Sequence, residues 1–141
     1  MNKEIFYASA LAVGSAISAY FGEWTTAIQT LLILMGADYL TGMIVAGVFH
    51  KSSKSDDGGL ESFAGWKGLM RKGVQLLVVL VGAQLDALLG TGFVRDGIII
   101  AFCLNETLSV VENAGLMGIP IPKVISQAIT VLKQRAGEEK E

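Results

Sequence analysis

Cysteine and histidine are almost absent from this chain. The single Cys103 leaves no pair for an internal disulfide, and the single His50 leaves no imidazole cluster for a metal. No Walker, dinucleotide-binding or zinc spacing occurs. No nucleophile stands in a pattern with a base, so the sequence offers no catalytic residue, no metal site and no cofactor site. An excess of positive charge is lacking too. Eleven Lys and Arg stand against 13 Asp and Glu, a net charge of −2, which removes the basic surface that nucleic-acid binding needs. The only two prolines, Pro120 and Pro122, fall together near the C-terminal end. The most informative absence is that of charge from long stretches between a few hydrophilic blocks.

Four such stretches approach the roughly 20 apolar residues that cross a bilayer. They are residues 5–21, 27–49, 73–89 and 98–117. The spacing predicts an all-α integral membrane protein, one membrane domain over 1–141, with about four transmembrane helices. The first run competes with a signal-peptide reading, since SAISA offers a small-residue cleavage site. Ala10, Gly14, Ser18 and Gly22 recur in it every four residues, a ladder that permits close helix approach. Residues 50–72 form the one long hydrophilic segment. HKSSKSDDGG reads as a loop, and LESFAGWKGLMRK as a short interfacial helix before the third span, with Lys67, Arg71 and Lys72 as juxtamembrane anchors. After the two prolines stop the fourth helix, residues 123–135 place Val124, Ile125, Ala128, Ile129 and Leu132 on one side and Lys123, Gln127, Lys133, Gln134 and Arg135 on the other. This predicts an amphipathic surface helix, followed by a solvated tail ending in EEKE.

Polar groups inside the runs are few, and therefore informative. An ionisable side chain at membrane depth must be paired, hydrated or protonated. Asp38 sits near the middle of the second run. Its two readings are a pore-lining or helix-pairing acid and a structural hydrogen bond to a neighbouring helix. Gln75, Gly82 and Asp86 fall on or near one face of the third. In the fourth, helical periodicity puts Asn105, Ser109, Glu112 and Asn113 on one stripe with Glu106 at its edge. These seven residues, Asp38, Asp86, Asn105, Glu106, Ser109, Glu112 and Asn113, are the candidate face for an oligomer contact or a pore. The alternative for Glu112 is a local pairing with Lys123.

Charge also predicts orientation. The segment between runs two and three holds Lys51, Lys54, Lys67, Arg71 and Lys72, and the C-terminal region holds Lys123, Lys133, Arg135 and Lys140. The other turns hold Arg95 alone. The positive-inside rule then places the long loop and both termini in the cytoplasm.

ADYLTG at 37–42, GWKGLMRK at 65–72 and ENAGLMGIPIPK at 112–123 resemble the phage-holin and toxin-secretion holin family. The resemblance covers about residues 25–135, and the third motif is the most specific. It implies a small protein of the bacterial cytoplasmic membrane, with lipid and further copies of itself as partners. It further implies that the protein oligomerises and permeabilises the membrane, with a cell-wall lytic enzyme or a large protein toxin as cargo. It carries over no catalytic residue. The competing class is a small-solute or ion channel or transporter that uses the intramembrane carboxyls.

Overall fold

A computed structural model describes residues 2–137, and the tail expected at 138–141 lies outside them. All regular structure among the described residues is α-helical: α1 Lys3–Phe21, α2 Thr26–Gly47, α3 Ser62–Leu89, α4 Phe93–Leu116 and α5 Lys123–Arg135. At 1.5 Å per residue, α1 to α4 are about 28, 33, 42 and 36 Å long. Three of them, α1, α2 and α3, are long and apolar enough to cross a membrane. α4 has the length but carries Arg95, Asp96, Glu106 and Glu112, and is not among the three.

Two helix boundaries differ from the sequence expectation. The interfacial segment and the third apolar run are a single 28-residue helix, α3. Phe63, Trp66 and Met70 continue its helical spacing back to Ser62, so Lys72 lies ten residues inside it. α4 begins at Phe93 rather than in the apolar run at 98, because its first turn is capped from another helix. Asp86, one turn before the end of α3, accepts from the backbone N–H of Val94 at 3.0 Å and of Arg95 at 2.8 Å. Thr91 Oγ1 also donates to it at 2.7 Å. These bonds satisfy amides that a helix start leaves orphaned. Gly90 closes α3 in the left-handed conformation, at φ +68°.

α2 and α4 run parallel to each other, and α3 runs antiparallel to both. Ile28, Leu31 and Met35, spaced three and four apart on α2, meet Val79 of α3 and Ile99 and Cys103 of α4 in one buried cluster. The closest approach of α3 and α4 needs Gly82. A Cβ there would lie 2.7 Å from Ile98 Cδ1 and 3.1 Å from Arg95 Cα. α4 is the hub, packed against α2, α3 and α5. α1 stands apart. Residues 3–20 are exposed throughout, and Phe21 alone is half-buried against the cluster.

Candidate functional site

The three packed helices bring their charges inward. Lys72 of α3 donates from Nζ to Asp38 Oδ2 of α2 at 2.6 Å and to Glu106 Oε2 of α4 at 2.5 Å. All three side chains are shielded, with relative exposures of 13% for Lys72, 8% for Asp38 and 6% for Glu106. The other oxygen of Asp38, Oδ1, accepts from Asn113 Nδ2 at 3.3 Å. The same amide donates to Thr41 Oγ1 at 2.9 Å and to the Asp38 carbonyl at 3.3 Å. One lysine and one asparagine thus tie α2, α3 and α4 together over about two turns of α4. Two carboxyl groups share one lysine at this centre. It sits among apolar helices, where an unpaired charge is costly.

A cavity of about 500 Å³ opens beside this bridge, between α2, α3, α4 and the loop over 52–61. The bridge forms its floor. Lys54, Lys67 and Arg71 stand at its exposed mouth. The loop forming one wall is held by its own bonds: Ser52 N–H to the Gly58 carbonyl at 2.9 Å, Ser55 Oγ to the Gly59 carbonyl at 2.7 Å, and Gly59 N–H to Asp57 Oδ1 at 2.8 Å.

The structure divides the residues singled out in the sequence. It brings Asp38, Glu106 and Asn113 together. It places Asp86 elsewhere, as the cap of α4. It leaves Asn105 and Glu112 exposed, seven residues apart, with Ser109 half-buried beside them, and Asn105 and Ser109 also line the cavity. The expected stripe is therefore an arc whose edge residue, Glu106, points inward. Two participants were missed. In the sequence Lys72 resembles a juxtamembrane anchor because its neighbours Lys67 and Arg71 are hydrophilic. The signal for it was the apolar spacing that extends α3 upstream. Arg95, a turn residue by sequence, lies in the first turn of α4. It donates from Nη1 to the Phe21 and Glu23 carbonyls at 2.9 and 3.0 Å, and it pairs with Asp96.

Three helices long and apolar enough to cross a membrane, with hydrophobic side chains turned outward, fit the class of helical membrane proteins. The chain belongs to the bacteriophage holin family, whose model matches residues 15–134. It is 31% identical over 114 residues to a probable holin of Bacillus phage phi105, covering 80% of this chain and 78% of that one. It is 36% identical over 131 residues to an uncharacterised protein of Halalkalibacterium halodurans, covering 89% and 91% of the two chains. An uncharacterised 14.9 kDa protein from the nagH 3′ region of Clostridium perfringens is 36% identical over 127 residues, with coverage of 89% and 90%. No solved structure matches the chain. On the family membership its role is holin-like and not enzymatic.

Proposed function

We propose that this protein crosses the bacterial cytoplasmic membrane four times, with α1 to α4 as spans and both termini in the cytoplasm. In this reading it assembles with copies of itself and opens the membrane to a cell-wall lytic enzyme or a large protein toxin. The observation that carries it is the family match over residues 15–134, on a chain whose long helices keep apolar side chains outward. The alternating directions of α2, α3 and α4 and the length and apolarity of α1 support four spans, and the basic 50–72 segment supports its cytoplasmic placement. α5 then lies along the inner membrane surface, its apolar side toward lipid.

Assembly falls to the groups left outward. Asn105 and Glu112 are exposed on α4, Asn105 also lining the cavity, and a neighbouring copy or water relieves the cost of facing acyl chains. Asp38, Glu106 and Asn113 then serve inside each subunit, and Asp86 serves the α3–α4 turn. A solute channel that works through free carboxyls has less support, because Asp38 and Glu106 are engaged by Lys72 and Asp86 by backbone amides.

The test is size selectivity. Induced expression in a bacterium that carries a cytosolic reporter enzyme and no lysin is expected to release ions and, once the wall is digested from outside, the reporter itself. Ion leakage with full reporter retention would sink the macromolecular reading in favour of a solute channel.

A further inference from the structure

We infer that the cavity beside the Lys72 bridge is a binding site for the headgroup of an anionic phospholipid, with Lys54, Lys67 and Arg71 receiving its phosphate. Its volume of about 500 Å³ falls in the range of roughly 300–1,000 Å³ typical of small-ligand pockets. Its polarity is layered. The carboxylates at the floor are already engaged, since Asp38 and Glu106 both hold Lys72. Glu61 at the wall accepts from the Asp56 backbone N–H at 3.3 Å. The cations at the mouth have no such partner. Among the described residues the ion pairs join Lys72 with Asp38 and Glu106, and Arg95 with Asp96. Lys67 lies over the Phe63 ring, 4.7 Å from its centroid, and that contact leaves its ammonium free to meet an anion.

The mouth also lies at the first turns of α3, where Ala64 and Gly65 line the wall and the helix dipole adds positive potential. Lys67 and Arg71 are four residues apart, so they share one face and reach the same space. Met43 and Leu60 supply apolar lining, and both are exposed. A ligand with a phosphate at one end and acyl chains running out along α2 matches that pattern. Basic pockets between membrane helices bind anionic headgroups for the same reason. The topology proposed above enters only in assigning the site to the inner leaflet.

The full-length protein in mild detergent, carried through a titration with dioleoylphosphatidylglycerol and observed by native mass spectrometry, tests this. One lipid is expected to be retained, with dioleoylphosphatidylcholine retained far more weakly. K54Q/K67Q/R71Q is expected to lose affinity on the order of a hundredfold, roughly fivefold per cation. K123Q/K133Q/R135Q on α5 removes the same charge away from the cavity and is expected to keep the lipid. Helix content by circular dichroism confirms that each variant is folded. Equal retention by K54Q/K67Q/R71Q, equal loss in the α5 variant, or equal binding of phosphatidylcholine overturns the inference. Displacement of the lipid by an equimolar amount of inorganic phosphate also overturns it, because the site would then be one for free phosphate. Membrane opening plays no part in the readout, so failure here is distinct from failure of the holin reading.

Discussion

Lys72 settles the electrostatics of the three-helix core by itself. Without it, Asp38 and Glu106 would face each other as buried like charges. Lys72→Met is therefore expected to destabilise the protein by about 3–5 kcal/mol, the cost of breaking a buried ion pair from one side. Glu106→Gln leaves a neutral Asp38–Lys72 pair and an amide oxygen that still accepts from Lys72, so its cost should stay near 1 kcal/mol. Thermal unfolding in detergent measures both, and a Lys72→Met protein as stable as the parent would show that the bridge holds nothing. The sequence made half of this centre legible. A carboxyl inside an apolar run requires a partner, which singled out Asp38 and Glu106. The partner itself lies 34 residues from each of them. No local periodicity links such positions, and Lys72 stands in a block whose other cations are exposed.

Among the elements, α1 has the weakest hold and α4 the strongest. α1 buries none of its residues, and side-chain bonds to backbone reach only its C-terminal end. Gln84 Nε2 donates to the Tyr20 carbonyl at 2.9 Å, and Arg95 donates to Phe21 and Glu23. Gly22 makes room for the guanidinium. Its φ is +84°, and a Cβ there would lie 2.6 Å from Arg95 Nη1. Arg95→Gln is expected to free α1 while leaving the α2–α4 core intact. In the Cys103→Ser background, spin labels at Ser9→Cys and Val74→Cys should report a broadened distance distribution with Arg95→Gln and a narrow one without it. Equal widths would show that Arg95 does not restrain α1. Asp86→Ala removes the cap of α4 and is expected to cost about 1–2 kcal/mol, read by the same thermal unfolding. The apolar runs made the existence of each helix legible, but not the starts of α3 and α4. Glu61 gives α3 no side-chain cap to announce it, and the cap of α4 comes from the helix before it.

At the scale of the whole molecule, the proposed orientation and assembly rest on which charges face out. With Cys103 replaced by Ser, single cysteines at Ser53 and Gly137 should label only from the cytoplasmic side and one at Gly92 only from outside. External labelling at Gly137 would remove the four-span arrangement. Assembly is the sharper test, because the arc on α4 separates two roles that the sequence could not. Asn113 faces inward onto Asp38 and Thr41, whereas Glu112 beside it faces out. A buried amide with three acceptors should matter to each subunit alone. Asn113→Leu leaves Asp38 Oδ1 without its donor and should cost about 1–3 kcal/mol in unfolding of the single subunit. An outward carboxylate should matter only between copies. Glu112→Gln and Asn105→Leu should leave unfolding of the single subunit within about 0.5 kcal/mol of the parent. Both should still lower the yield of cross-linked oligomer and the release of a cytosolic reporter. If Glu112→Gln lowers release while oligomers persist, Glu112 faces the opening rather than a neighbouring copy. If neither changes, the outward stripe takes no part in assembly, and the contact between copies must be sought on the bare face of α1.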